Sequence, residues 1–244
     1  MTDSPARAFP VAEDAFDRWI AGTAMVLAPP TLLAAVLTRF DAGLLFTAQL
    51  AAHAESPGRM TVSYTLFALG TVLLLPAVLG LARRIGATRR GWALWGGALV
   101  VLGLFTRTFH AGADYLAFQF ADVLGVQAAG DVVGDTYGAF HVFRSFSVAI
   151  MFGWIVLAIG ARLSGALGWV GAVGLGLMSA LPLGVLKGAT VFSLVAVGGL
   201  AVALVPLGLK ACRSGPAPRA GTVARWIGLI VGVSALATVL GQLG

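Results

Sequence analysis

Phe105-Thr106-Arg107-Thr108-Phe109-His110-Ala111-Gly112-Ala113-Asp114-Tyr115-Leu116-Ala117-Phe118 decides how this chain is read. The stretch continues a strongly apolar run that begins near Trp92, yet it carries an arginine, a histidine and a carboxylate. In a helix, Arg107, His110 and Asp114 fall at i, i+3 and i+7 and share one face, which Phe118 extends with a ring. Ionisable groups in a membrane helix are costly, and they face a protein interior or a cavity rather than lipid. A second stretch repeats the pattern: Tyr137, His141, Arg144 and Ser145 fall at i, i+4, i+7 and i+8. The function is expected between these two faces.

Composition sets the class. Of 244 residues, 59% are hydrophobic and only 11% charged, with mean hydropathy +0.93. A soluble domain of this size has no core large enough for so much apolar surface. The expectation is therefore an all-α, polytopic transmembrane bundle, one integral-membrane domain over 1–244. The net charge of +6 would suggest nucleic acid in a soluble protein. Here the basic residues lie mainly in loops between apolar runs, so they point to topology and membrane lipids as partners, and to no nucleic acid. The single cysteine, Cys212, excludes an intramolecular disulfide and a multi-cysteine metal site. Residues 1–18 read as a short cytoplasmic tail.

About seven spans are expected: near Trp19–Thr38, Met60–Ala82, Trp92–Phe120, Thr136–Ala161, Leu167–Leu186, Thr190–Leu209 and Trp226–Leu243. Pro29-Pro30 should kink or break the first, because two backbone donors are missing there. Residues 40–56 form an amphipathic piece too short and polar to span, an interfacial or re-entrant helix ended by Ser56-Pro57-Gly58. Asp122 to Asp135 reads as a polar loop. The glycines of the fifth span, Gly168, Gly171, Gly174 and Gly176, permit close helix approach. With the N-terminus inside, only Arg39, Arg59, Arg107, Arg144 and Lys187 of the sixteen basic residues fall in outer segments. The positive-inside rule thus places the N-terminus in the cytoplasm and the C-terminus outside, across the cell (plasma) membrane. All three histidines, Asp114, Glu55 and Lys187 then lie towards the outer side.

Three chemistries use such a set. In the first, a carboxylic acid in an apolar pocket stays protonated and delivers a proton to a lipid-soluble substrate. Asp114 is the proton donor in this reading, with His110 and Arg107 setting its protonation, and with His141 and Arg144 facing it from the next helix. Tyr137, Tyr115, Phe109, Phe118, Phe140 and Trp154 would wall the substrate and hold a carbocation by their π faces. Glu55, His53 and Asp41 are second acids or lid contacts, and Lys187 is a snorkelling turn residue. The plain alternative is that Asp114 and His110 pair with Arg144 and Arg107 and lock two helices. The second chemistry is a zinc site on the three histidines, activating a water. The chain resembles seven-span zinc hydrolases of the ceramidase and progestin-receptor type in span number and topology. It lacks their HxxxH pair: Asp114 follows His110 by four, and Ser145 follows His141 by four. A haem between His110 and His141 would need both rings to pass their arginines. The third is proton-coupled transport of a small molecule, for which Asp, His and Arg would form a relay. A cluster at one depth fits a pocket better than a path.

Phe-Asp-Ala (40–42), Arg-Thr-Phe-His-Ala-Gly-Ala-Asp (107–114), Tyr-Gly-Ala-Phe-His-Val-Phe-Arg (137–144) and Leu-Pro-Leu-Gly-Val-Leu-Lys-Gly (181–188) together resemble a group of small actinobacterial polytopic membrane proteins. In size and span number the chain is also similar to the integral-membrane terpene cyclases of meroterpenoid and drimentine-type pathways. That resemblance implies protonation of an alkene or epoxide on a lipophilic, prenylated substrate, then cyclisation, with no cofactor and no metal. Acid-initiated cyclisation is the activity expected from the sequence.

Overall fold

The apolar runs form helices, several of which end at basic or proline-containing turns. The computed structural model describes residues 15–137, 142–182 and 184–243, and these are all-helical, without a strand among them. Among the described residues six helices are long and apolar enough to cross a membrane, so the chain is a multi-pass membrane protein. They are α1 (Ala15–Thr38), α3 (Pro57–Gly86), α4 (Arg90–Leu124), α6 (Val142–Leu163), α8 (Val191–Arg213) and α9 (Ala220–Leu243). Between them lie α2 (Phe46–Glu55), α5 (Val126–Tyr137) and α7 (Trp169–Gly176), the last continued by a 3-10 turn, Leu177–Ala180.

α1 packs against α3 and α8, α4 against α3 and α6, and α7 against α8 and α6. Their facing sides form one apolar core that includes Met25, Leu32, Leu74, Val100, Trp154, Leu157 and Leu200. A smaller cluster caps one end, where Leu50 of α2, Ala129 and Val133 of α5 and Phe118 of α4 meet. At the opposite end Arg83 pairs with Asp17 at 3.1 Å, and Arg18 donates to the Pro216 carbonyl at 2.8 Å. None of the apolar window of α9 is buried, so its surface is left to the membrane.

Three local expectations change. The fifth expected span, Leu167–Leu186, is helical for only twelve residues, Trp169–Ala180. Twelve residues rise roughly 18 Å, short of a hydrocarbon core of about 30 Å. Leu181 turns extended before Pro182, which has no N–H to continue the ladder. The expected polar loop, Asp122 to Asp135, is mostly helix: α5 buries Ala129 and Val133, four residues apart, and exposes Asp131 and Asp135. The shared face expected of Tyr137, His141 and Arg144 runs across residues 138–141, which lie outside the described residues; Tyr137 belongs to α5 and Arg144 to α6. Finally, α1 runs unbroken through Pro29 and Pro30.

α7 and α8 cross backbone to backbone at Gly174 and Gly199. A Cβ on Gly174 would run into the Gly199 carbonyl, and one on Gly199 would meet the Gly174 carbonyl oxygen at 2.7 Å. Gly174→Val should therefore lower unfolding stability in detergent by about 1–3 kcal/mol, the usual effect of overpacking. Gly198→Ala, inside α8 with nothing near its added carbon, is the control that should not lower the melting midpoint.

Candidate functional site

The polar face of α4 does meet a hollow, at the end of the bundle capped by α2 and α5. Arg107, His110 and Asp114 line it from one side. Val36 and Arg39 from the end of α1, Tyr64 and Phe67 from α3, and Ser193 from the start of α8 complete the wall. The irregular segment from Leu181 to Gly188 closes it, contributing Pro182, Gly184 and Lys187. The chamber is small, about 30 Å³, room for a few water-sized groups.

Its charges are deeply placed. Relative exposures are 4% for Arg39, 8% for Arg107, 5% for His110 and 7% for Asp114. Asp114 is the chamber's carboxylate, and it accepts a hydrogen bond from the Leu186 backbone N–H. Among the described residues it makes no ion pair with either arginine. Arg107 Nη1 donates to the Pro182 carbonyl at 3.3 Å, while its Nε and Nη2 are buried without a protein partner. Arg39 Nη1 donates to Ser63 Oγ at 3.2 Å, and its Nε is likewise unpartnered. The Arg39 guanidinium lies over the Tyr64 ring at 4.7 Å and over Phe67 at 4.8 Å. Burial pulls the Arg39 pKa below its ordinary value, and Tyr64 and Asp114 work against that shift. An arginine keeps its charge under such pressure, so burial leaves a cation that needs a counter-charge.

Several hydrogen bonds fix the closing segment. Gly188 N–H donates to the Leu44 carbonyl at 3.2 Å, and a Cβ at Gly188 would collide with the Gly43 carbonyl. Gln49 donates to the Ala42 and Gly43 carbonyls and accepts from Tyr64 Oη at 3.0 Å. The turn after α1, the buried face of α2 and the 181–188 segment are thus pinned together behind the chamber.

The other expected site residues are placed as follows. His53 is buried in the capping cluster, 3.0 Å from Asp122 and stacked on Phe118 at 4.1 Å; it is not part of the chamber wall. Phe109 stacks on Phe143 at 4.3 Å, the Tyr115 hydroxyl meets Thr65 Oγ1, and Trp154 sits in the main core. None of these rings lines the chamber. Glu55 is exposed, and Asp41 is exposed in a two-oxygen contact with Arg59, which holds its carboxyl below the usual carboxylate range. Phe140 and His141 lie outside the described residues, and of Tyr137 and Arg144 only the backbone is described. Among the described residues no three of His, Cys, Asp and Glu gather as a metal site would require.

Two cations escaped the sequence reading as site residues, Arg39 and Lys187. Each stands at the edge of an apolar run, where a basic residue ordinarily marks topology. Their signal lay in the quoted patterns 40–42 and 181–188, which put polar or turn-forming residues beside them. No known family model matches the chain, and no curated protein or solved structure matches it either.

Proposed function

We propose that this multi-pass membrane protein binds the anionic end of an amphiphilic small molecule in the chamber between α1, α3, α4 and the 181–188 segment. The observation that carries this reading is the pair of buried arginines with N–H groups that no protein acceptor satisfies. Unpaired buried donors on a charged group are costly, and an incoming oxyanion is the natural acceptor. The aromatic cage that a carbocation would need is already taken by a resident cation: Tyr64 and Phe67 hold the Arg39 guanidinium.

Topology supports a ligand drawn from the membrane. The chamber lies at the end opposite Arg83, Arg84, Arg89 and Arg162. Under the positive-inside rule, that puts it near the outer face of the plasma membrane with the N-terminus in the cytoplasm. The short helix α7 with its irregular continuation then serves as a discontinuous seventh crossing, and the C-terminus lies outside. Apolar side chains fill the bundle between the two ends, which favours a binding pocket over a transport path.

Acid-initiated cyclisation of a prenylated substrate is the second reading, favoured by the burial of Asp114 beside the chamber. It asks for a cavity of roughly 300 Å³ or more, so the chamber would have to widen about tenfold from its 30 Å³. Recognition of a compact anionic group asks for far less widening.

The test titrates purified protein in nonionic detergent with lysolipids of either charge type. Anionic lysolipids should raise the melting temperature, by an amount equivalent to about 2.7 kcal/mol at a hundredfold excess over Kd. A zwitterionic lysolipid should not, and Arg39→Met should lose the response. Equal stabilisation by both lipid types would remove the reading.

A further inference from the structure

We infer that the group recognised in the chamber is a doubly charged phosphate, either the terminal phosphate of a phosphorylated lipid or the free ion. The inference rests on the anion-binding reading and narrows it by charge, donor geometry and size.

Charge comes first. The chamber wall carries three cationic side chains, Arg39, Arg107 and Lys187, against one carboxylate, Asp114. With Asp114 ionised the excess is two positive charges; with it protonated the excess is larger. Among the described residues no other acid at this end is free to help. Asp41 is committed to Arg59 and Asp122 contacts His53, while Glu55, Asp131 and Asp135 are exposed. A carboxylate or a phosphodiester brings one negative charge and would leave the rim cation, Lys187, without a counter-charge. A terminal phosphate brings about 1.5 to 2 at neutral pH and closes the balance.

Donor geometry agrees. Arg107 Nε and Nη2 are adjacent N–H groups on one guanidinium, both buried and both unpartnered. That edge matches two oxygens of a tetrahedral phosphate, and Arg39 Nε supplies a further unpartnered donor from the facing wall. Size agrees as well. At about 30 Å³ the chamber needs only a small widening at its part-exposed rim to take a compact oxyanion, and it is far too small for a chain. Phe67, Pro182, Gly184 and Lys187 are the part-exposed members of the wall, so the ester arm of a lipid phosphate leaves between them.

The experiment uses the full chain in nonionic detergent and calorimetric titration with four probes. They are inorganic phosphate, dodecyl phosphate, dodecanoate and dodecyl methyl phosphate. Dodecyl phosphate should bind at least about tenfold more tightly than dodecanoate or the diester, the difference expected from one further charge-assisted contact. Its affinity should fall as pH drops below about 6, where the second proton returns to the phosphate. Lys187→Met, a change at the chamber's part-exposed rim, should shrink the preference of phosphate over carboxylate several-fold while the protein stays folded. Inorganic phosphate binding as well as dodecyl phosphate supports the free ion as the source, and much weaker binding supports the lipid. Dodecanoate binding as tightly as dodecyl phosphate overturns the phosphate assignment and leaves the anion reading standing. If no probe binds, both fall.

Discussion

Arg107→Met is expected to make the ligand-free protein more stable and, in the same molecule, to abolish ligand-induced stabilisation. In the empty chamber this arginine is buried with two of its nitrogens unpartnered, and its one hydrogen bond runs to a neutral carbonyl. Replacing an uncompensated buried charge by an apolar chain of similar length commonly gains about 1–4 kcal/mol. Methionine fills the space with flexible, polarisable atoms and asks for no acceptor. Melting curves in detergent, with and without an anionic amphiphile, check both halves. A structural pin behaves the other way: if the variant melts lower without ligand, Arg107 is there to hold Pro182 and the binding role fails.

Asp114→Ala is expected to cost about 1–3 kcal/mol, the effect of leaving a buried hydrogen-bond donor unsatisfied. It deprives the Leu186 N–H of its acceptor and leaves Arg39 and Arg107 with no nearby negative charge. Asp114→Asn keeps an oxygen of similar shape in the same place, so it should recover the hydrogen bond but not the charge and fall between the two. Chemical unfolding gives the order, and hydrogen exchange at the Leu186 amide gives the local cause. Exchange should be fastest in the alanine variant. An alanine variant as stable as the parent, with Leu186 still protected, would mean that the closing segment is held from elsewhere.

The sequence made part of this visible for clear physical reasons. Arg107, His110 and Asp114 stand out because charge is rare inside an apolar run, and the helical period puts them on one face. The spans other than the fifth emerge from hydrophobic length alone. The ring assignments were harder. Phe109, Phe118 and Trp154 sit on the two expected helices, but helical spacing does not say which neighbour each face meets, and those faces meet Phe143, His53 and the main core. The fifth span is cut short because Leu181 turns extended before Pro182 and because Gly184 and Leu186 take positive φ, while Leu181, Val185 and Leu186 still bury themselves in apolar clusters, as helical residues would. α5 was hidden by its acids and glycines, its buried side being only Ala129 and Val133. Arg39 and Lys187 take their meaning from what packs around them, which no local pattern encodes.

The bond between Asp114 and the Leu186 amide also orders events during synthesis. Its partners are 72 residues apart in the chain. At 5–20 residues per second, α4 waits about 4–14 s after its carboxylate is made before that amide exists. Throughout that interval Arg107 and Asp114 must tolerate the bilayer, or the insertion machinery, without the strap that later seals them in. The pocket is therefore a late product of biogenesis, completed when α8 docks on α1 and brings the preceding segment home.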